Sequence, residues 1–172
     1  MSCVLTVSIS IMVNGEALDP IYPSKGIRQK DPLSPYLFIL CMDFLGQLIK
    51  EKCSMKLWQP VKASQSGPAF THLLFADDLV FFAKADHINY ATIRDVLDDF
   101  CSISEQIVSE SKSRVYFSPN VDGDTRESLC DILCFSSTPN LGKYLGTSIK
   151  HPGSSSRDYN FILDRIKQKL AG

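Results

Sequence analysis

The sequence has no excess of charge of either sign and no long apolar run. Its 18 Lys and Arg residues nearly balance 19 Asp and Glu residues, which leaves a formal net charge of -1. Proteins that hold nucleic acid through bulk charge are basic, so any such contact here must come from local patches. No segment approaches the ~18 apolar residues of a membrane span, and the first residues lack a basic stretch followed by an apolar core. We expect an intracellular protein, nuclear or cytoplasmic, with no signal peptide, transmembrane segment or membrane partner.

Patterned metal-binding residues are also scarce. The six cysteines show no Cys-x-x-Cys spacing, and the three histidines stand far apart, at His72, His87 and His151. Although Cys130 and Cys134 are spaced to lie on one helix face, no second pair of Cys or His completes a zinc site. We therefore expect buried thiols in a reducing compartment and no disulfide-linked partner.

What is present predicts one α+β domain. At 172 residues and 44% hydrophobic composition, the chain is long enough for a single domain with a substantial core. Apolar and polar residues alternate over 5–13, which predicts a half-buried strand, and Asn14-Gly15 predicts a tight turn into a returning strand over 17–22. Another strand is predicted over 115–117, and a short strand or turn over 144–146.

Helices are predicted from capping signals and apolar spacing. Asp31-Pro32 supplies an N-cap and a first-turn proline for a helix through Ile49, whose apolar spacing is typical of a central buried helix. Asp86 is expected to cap a second helix, and Asp124 a short third helix over 124–133. A final amphipathic helix is predicted over 157–170. The second helix is expected to direct five apolar residues inward: Ile88, Ile93, Val96, Leu97 and Phe100.

The order of these elements places helices behind an antiparallel sheet, which is the arrangement of an α+β fold. A polar connection over about 56–68 follows the first long helix. It contains the single tryptophan, Trp58, and no sequence pattern supports its stacking on a nucleic-acid base.

The most informative residues are Asp77 and Asp78, adjacent carboxylates between the apolar runs 73–75 and 79–82. A tight turn between two apolar strands would hold both at one sheet edge, where a divalent cation best relieves their repulsion. The functional interpretation is a magnesium site. The alternative is an ordinary hairpin tip, since Asp is common in turns.

Longer blocks of sequence surround these aspartates. Residues 26–38 read Gly-Ile-Arg-Gln-Lys-Asp-Pro-Leu-Ser-Pro-Tyr-Leu-Phe, and Phe75-Ala76-Asp77-Asp78 follows them. The two blocks resemble reverse transcriptases, and in particular those of non-LTR, LINE-type retrotransposons of plants. The resemblance covers essentially the whole chain, because further blocks follow in the family's order at 104–106, 111–113, 143–146 and 161–172.

The resemblance implies a partial polymerase palm over 1–172, with the fingers and the first catalytic strand absent and the thumb absent or incomplete. Asp77 and Asp78 would be catalytic and hold Mg²⁺, with Mn²⁺ as an alternative, for attack of a primer 3′-hydroxyl on a deoxynucleotide. Asp77 is expected to ligate the metal directly and Asp78 to support it. The implied partners are an RNA template, a DNA primer and deoxynucleoside triphosphates.

The resemblance also implies a nucleotide- and template-binding segment. Arg28, Gln29, Ser34 and Pro35 match the family residues that line this path, where a cation beside an amide suits a phosphate or a base edge. Judged without the family, a solvated loop is the simpler interpretation of Arg28 and Gln29.

Two further sites follow from the same resemblance. Lys112 matches a lysine near the pyrophosphate that acts as a general acid. Tyr144, Leu145 and Gly146 match the turn that grips the primer, where Gly146 would permit a close approach of the backbone to nucleic acid. The alternatives are an ordinary surface lysine and a core tyrosine.

Several departures from the family pattern bear on activity. Catalysis in the family needs a third carboxylate on a preceding strand, in a segment of the type Asp followed several residues later by Phe-Asp, and this sequence has no such segment. Lys30 stands where the family has Gly, and Glu105 and Ser109 replace a usual Gly and Asn. We therefore expect the truncated product of a degenerate element, inactive by itself.

Two hypotheses from different classes follow. In the first, the chain is a reverse transcriptase fragment without its third carboxylate. In the second, it is a non-enzymatic RNA- or metal-binding module, such as a maturase-like scaffold, although its near-neutral charge weighs against strong RNA binding. A third outcome is the absence of a folded product, because an exposed sheet edge favours aggregation.

Overall fold

A computed structural model describes residues 8–23, 31–62, 64–145, 147–148 and 167–168. The chain divides into two compact units, Met1–Val108 and Ser109–Gly172. Each unit is described below by itself. Within the described residues, no helix is both long and apolar enough to cross a membrane.

The first unit opens with a short hairpin, β1 (Met12–Val13) and β2 (Glu16–Ala17). Asn14 and Gly15 form its turn with φ of +52° and +88°, the left-handed pair that a type I′ turn requires. The predicted turn is therefore confirmed. The prediction of a half-buried strand is wrong for its described part, because residues 8–23 are all exposed.

The first long helix, α1 (Ser34–Ser54), does not begin where the capping signal predicted. Its N-cap residue is Leu33, which makes no side-chain capping hydrogen bond, and the proline in its first turn is Pro35. Because proline lacks the N–H that is unpaired in a first turn, Pro35 suits that position as well as Pro32 would. The Asp31 carboxylate instead accepts a hydrogen bond from the Leu33 N–H at 2.8 Å.

Helix α1 is also not the central buried helix that its apolar spacing predicted. Only Leu45 and Ile49 are buried, and its other described apolar side chains are half-buried or exposed. The helix packs against a second helix along one face. Another part of its surface lines an open groove, in which the apolar residues Phe38, Ile39 and Met42 remain accessible.

Two hairpins follow α1. The first pairs β3 (Val61–Lys62), inside the segment predicted as a polar connection, with β4 (Ala69–Phe70), directly after that segment. The second pairs β5 (His72–Phe75) with β6 (Asp78–Phe81).

Helix α2 (His87–Ser104) begins as predicted at Asp86, whose carboxylate accepts a hydrogen bond from the Asn89 N–H at 2.9 Å. Four of the five residues expected to point inward are buried, namely Ile93, Val96, Leu97 and Phe100. The fifth, Ile88, is 64% exposed. The first-turn residues that are buried instead are Asn89 and Tyr90.

The second unit contains helix α3 (Gly123–Leu133) between the paired strands β7 (Arg114–Val115) and β8 (Ser136–Ser137). The helix ends at Leu133 as predicted, but the predicted cap is wrong by two residues. Asp122 is the cap, because its carboxylate accepts hydrogen bonds from the N–H and the hydroxyl of Thr125. The predicted strand over 115–117 is partly right, and both Val115 and Phe117 are buried.

The second unit ends, in its described part, with β9 (Lys143–Tyr144) and β10 (Thr147–Ser148). The helix predicted over 157–170 lies outside the described residues except at 167–168. Among the described strands, five two-stranded pairs form, of which four are antiparallel and β7–β8 is parallel. The class is thus mixed helix with small, mainly antiparallel sheets, and not one larger sheet within these residues.

Candidate functional site

The adjacent carboxylates lie at the closed end of the β5–β6 pair. Asp78 is the first residue of β6 and pairs with Phe75, the last residue of β5. Ala76 and Asp77 form the two-residue turn between them, and both aspartates are exposed. Because Asp77 lies in the turn and Asp78 in a paired strand, the backbone of Asp78 is the more constrained of the two.

The left-handed residue of this turn is Ala76, at φ +50°, and not an aspartate. A positive φ at the first central position of a two-residue turn is the pattern of type II′, which favours glycine there. A non-glycine residue in this region costs on the order of 1 kcal/mol. The turn that contains Asp77 is therefore mildly strained, and neither aspartate is the residue that takes the left-handed conformation.

An open groove of about 460 Å³ lies beside the turn, between α1 and β5. Most of its lining is apolar, and its polar side chains are Asp43 and His72. The side-chain amide of Gln47 donates a hydrogen bond to the Asp43 carboxylate at 2.8 Å. The full lining consists of Phe38, Ile39, Met42, Asp43, Gly46, His72, Leu74 and Ala76.

His72 stands at the start of β5, at the opposite end of this strand from the aspartates. Burial lowers the pKa of His72, so the neutral imidazole is favoured. Its Nδ1 lies 2.9 Å from the Thr71 hydroxyl oxygen, within hydrogen-bonding distance. A neutral, hydrogen-bonded imidazole at this position supplies no positive charge for a phosphate.

The described residues hold no cluster of three or more His, Cys, Asp or Glu side chains that could bind a metal ion. Asp77 and Asp78 are thus the paired carboxylates available at the hairpin. Carboxylate oxygens are the ligands that Mg²⁺ and Mn²⁺ prefer, usually with water and phosphate oxygens completing the shell. Two carboxylates fit such an ion but do not by themselves enclose it.

The described cysteines are Cys41, Cys53, Cys101, Cys130 and Cys134, and none of these five forms a disulfide. The first four are half-buried, whereas Cys134 is exposed, so the expectation of a buried thiol is wrong for Cys134. Burial raises the pKa of the Cys53 and Cys130 thiols, which favours their protonated, unreactive form.

The other predicted site residues lie at the start of α1, outside the described residues, or in the second unit. Ser34 and Pro35 begin α1, whose next turn lines the groove beside Ala76. Arg28, Gln29 and Gly146 lie outside the described residues.

Lys112, Tyr144 and Leu145 belong to the second unit. Lys112 is exposed in a turn that its own N–H closes on the Ser109 carbonyl at 3.1 Å. Tyr144 is half-buried in β9, and Leu145 is exposed with φ +53°. Within the first unit, Asp77 and Asp78 lie side by side at the hairpin, and Ser34 and Pro35 lie one helical turn before Phe38 and Ile39, which line the groove.

Two residues near the hairpin were not assigned their observed roles from sequence. Trp58, which the sequence placed in a polar connection, is 0% exposed, so no face of its ring is open to a nucleic-acid base. Its Nε1–H donates a hydrogen bond to the Phe82 carbonyl, one residue past β6. Asn89, which no pattern marked, is almost fully buried and accepts a hydrogen bond from the Gln59 N–H.

The sequence matches a family model described as reverse transcriptase (RNA-dependent DNA polymerase) over residues 1–149. The match includes the hairpin, Lys112 and the 143–146 segment. It covers more than half of the chain.

Three similar proteins align with parts of the chain. An uncharacterised mitochondrial protein of Arabidopsis thaliana is 43% identical over 67 residues, which are 39% of this chain and 55% of that protein. The retrovirus-related Pol polyprotein from the type-2 retrotransposable element R2DM of Drosophila melanogaster is 35% identical over 95 residues, 55% of this chain and 8% of the polyprotein. The corresponding polyprotein from the type-1 retrotransposable element R2 of Popillia japonica is 31% identical over 86 residues, 50% of this chain and 13% of the polyprotein. The chain thus spans about half of the Arabidopsis protein and a small part of either polyprotein.

Proposed function

Since this chain belongs to the reverse transcriptase (RNA-dependent DNA polymerase) family, we propose that Asp77 and Asp78 hold Mg²⁺, with Mn²⁺ as an alternative, in the palm portion of such an enzyme. The observation that carries this proposal is the exposed, adjacent placement of both carboxylates at the closed end of β5–β6. Their mutual repulsion in that position is relieved by a divalent cation. We assign Asp77, in the turn itself, as the direct ligand and Asp78 as the supporting one.

The parent activity proposed for this site is RNA-directed DNA synthesis from an RNA template, a DNA primer and deoxynucleoside triphosphates. Metal ions bound in such a site activate the attacking 3′-hydroxyl and stabilise the leaving pyrophosphate. The contribution of the chain itself is to hold the two carboxylates exposed and adjacent beside the groove. The groove, whose lining on α1 begins one turn after Ser34 and Pro35, would supply a surface for the nucleotide or template.

For the remaining residues the proposal rests on the family pattern. Arg28 and Gln29 would contact the nucleotide or template, and Lys112 would donate a proton to the pyrophosphate. Tyr144, Leu145 and Gly146 would hold the primer. The exposure of Lys112 is compatible with such a role and equally with an ordinary surface lysine.

We also propose an origin in a non-LTR retrotransposon, because two of the similar proteins are Pol polyproteins of retrotransposable elements. The assignment to the LINE type of plants rests on the sequence blocks around 26–38 and 75–78. The nuclear or cytoplasmic location belongs to the same proposal.

The 172 residues alone are proposed to be inactive in DNA synthesis. No third acidic, Cys or His ligand joins Asp77 and Asp78 among the described residues, and the sequence has no upstream Asp segment of the family type. The same observation favours a second candidate function, a non-enzymatic metal- or RNA-binding remnant. RNA binding by such a remnant would be recognised by an affinity that falls steeply with salt.

The first test is binding of Mn²⁺ to the full chain by isothermal titration calorimetry, together with extension of a DNA primer on an RNA template. We expect the Asp77→Asn, Asp78→Asn double variant to bind Mn²⁺ at least about tenfold more weakly, since both anionic ligands become neutral. A matched control is the Asp98→Asn, Asp99→Asn double variant, which removes an adjacent, exposed pair on α2. Loss of the surface pair between Asp98 and Arg94 has little effect on stability.

Three outcomes separate the parts of this proposal. Equal Mn²⁺ affinity in the wild type and the hairpin variant would contradict the metal site. Primer extension that the hairpin variant abolishes would show that another acid completes the site, and the proposed inactivity would then be wrong. Mn²⁺ binding without extension supports both parts.

A further inference from the structure

One buried side chain, that of Trp58, holds the base of the β5–β6 hairpin. Its Nε1–H donates a hydrogen bond to the Phe82 carbonyl at 3.0 Å. Its ring meets the ring of Phe81, the last residue of β6, edge to face, with centroids 5.1 Å apart and planes at 70°. The same side chain therefore contacts both the end of the strand and the residue that follows it.

Hydrogen bonds tie the backbone around Trp58 to both long helices. The Trp58 N–H donates to the carbonyl of Lys52, near the end of α1, at 3.3 Å. The next N–H, of Gln59, donates to the side-chain oxygen of Asn89 at 2.7 Å, and the Asn89 amide donates to the Asp86 carboxylate at 2.8 Å. The end of α1, the end of β6 and the start of α2 thus meet at one place, which we call the Trp58 junction (Trp58, Gln59, Phe82 and Asn89).

Among the residues that the structure describes, no buried side chain holds the closed end of the hairpin as Trp58 holds its base. Leu73, Leu74 and Phe75 are all exposed large apolar residues of β5. An isolated two-stranded hairpin is marginally stable in water, so its orientation depends on what it packs against. At the base, the Phe82 N–H also donates to the Thr71 carbonyl at 2.7 Å, which closes the pairing of the two strands at the same residue that Trp58 holds.

We infer that Trp58 is a positioning residue for the Asp77–Asp78 hairpin, acting through Phe81 and Phe82 to fix the hairpin on the helices of the first unit. The inference deepens the proposed function, since it rests on Asp77 and Asp78 being the metal ligands. Trp58 acts at the base of the hairpin and not at the candidate ligands, because three residues of β6 separate Asp78 from Phe82. By fixing the base of the hairpin, Trp58 limits the movement of the closed end, where Asp77 and Asp78 lie.

The test uses the full chain with the Trp58→Phe substitution, which keeps an aromatic ring but removes the N–H donor. The Phe82 carbonyl then loses its partner at a partly buried position, and the hairpin opens locally more often. We expect the backbone amides of 72–82 to exchange with solvent about tenfold faster, the change produced by loss of one such hydrogen bond. Amide exchange is measured residue by residue by NMR.

The matched control is Phe100→Leu, which shrinks a buried side chain on α2, about three helical turns from Asn89. When urea is added so that the wild type and Phe100→Leu have the same free energy of unfolding, the 72–82 amides of the control should exchange as fast as those of the wild type.

A second variant, Asn89→Ala, leaves Trp58 in place but removes the acceptor for the Gln59 N–H. Because Trp58 is the single tryptophan, its fluorescence emission should shift to longer wavelength as the junction loosens.

Selective acceleration of the hairpin amides in Trp58→Phe supports the inference, and uniform acceleration across the first unit would overturn it. Mn²⁺ affinity separates the inference from the proposed function. We expect Trp58→Phe to bind Mn²⁺ about threefold more weakly than the wild type, since fewer molecules hold the hairpin in its binding geometry. If the wild type binds no Mn²⁺ but hairpin exchange still responds selectively, the metal proposal fails and the positioning of the hairpin by Trp58 stands.

Discussion

The two long helices of the first unit have similar lengths but are held very differently. Helix α1 has 21 residues, of which only Leu45 and Ile49 are buried. Helix α2 has 18 residues, of which seven are buried on one continuous face. Apolar residues are frequent on both helices, so the difference lies in how much of each helix its neighbours cover.

The helix beginnings differ in the same sense. The N-cap of α2 is Asp86, which accepts hydrogen bonds from both the backbone and the side chain of Asn89. The N-cap of α1 is Leu33, which supplies no side-chain acceptor. The first turn of α1 is therefore less stabilised by N-capping than the first turn of α2.

This comparison separates stability from function within the first unit. Helix α2 and its cap provide the best-packed part, whereas α1 exposes apolar residues and lines the groove beside Ala76. Segments with few buried contacts open locally at the lowest free-energy cost, and binding surfaces are commonly drawn from them. The comparison predicts that substitutions of buried residues on α2 change the free energy of unfolding strongly, and that substitutions of exposed apolar residues on α1 change it little.

The largest contrast should come from Phe100→Ala on α2 and Leu40→Ala on α1. Phe100 is buried, so its truncation should lower the free energy of unfolding by about 3–5 kcal/mol. Leu40 is 66% exposed, so its truncation should change that free energy by no more than about 0.5 kcal/mol. Urea unfolding followed by circular dichroism measures both.

A cost above about 2 kcal/mol for Leu40→Ala would break the comparison, because only a buried leucine has such an effect. The side chain of Leu40 would then be covered in solution. A small cost for Phe100→Ala would instead show that the α2 core is less closely packed than its burial indicates.

The second prediction concerns the cap of α2. Asp86→Ala should lower the free energy of unfolding at neutral pH by about 1–2 kcal/mol, since it removes the acceptor for the Asn89 N–H and leaves the buried Asn89 amide without its partner. Asp95→Ala, at an exposed position of the same helix, is the control and should stay within about 0.5 kcal/mol of the wild type.

The effect of Asp86 should also depend on pH. Partial burial raises the pKa of Asp86, but the hydrogen bonds from Asn89 and the nearby Lys84 ammonium outweigh burial, so the pKa lies below its ordinary value. A carboxyl whose folded-state pKa is lowered adds stability above its unfolded-state pKa and loses it as pH falls through the folded-state pKa. The difference between wild type and Asp86→Ala should be constant from pH 7 to about 5 and shrink below about pH 4. A difference that grows on acidification would contradict this sign.

Local signals predicted the parts of the fold that depend on neighbouring residues. Asn14-Gly15 specifies its turn through its own backbone angles, and Asp86 reaches a donor only three residues away. The start of α1 was missed because two prolines, Pro32 and Pro35, offer the same first-turn signal. Apolar spacing identified the core side of α2 but not the burial of α1, since a period indicates a face and not what covers that face.

The candidate site shows the same limit. The placement of Asp77 at a turn between two apolar runs is a local pattern that the sequence displays. The Trp58 junction is not, because its hydrogen bonds join residues 24 and 30 positions apart. Contacts between residues so far apart produce no periodic pattern in the sequence, so the sequence placed Trp58 only in a polar connection.

The last and smallest prediction concerns the other end of α2. Glu105 follows the helix with φ +56°, a left-handed conformation that glycine adopts without strain. Glu105→Gly should therefore raise the free energy of unfolding by about 1 kcal/mol, as judged by urea unfolding.

The matched control is Ser102→Gly, three residues earlier, where the backbone is helical and the side chain is exposed. Glycine there should lower the free energy of unfolding by about 0.5–1 kcal/mol, so the two substitutions are expected to have opposite signs. Destabilisation by both would mean that contacts of the Glu105 side chain outweigh its backbone strain. Opposite signs would show that the end of α2 is strained by Glu105 itself, so that even the more fully buried helix has one position where glycine fits better.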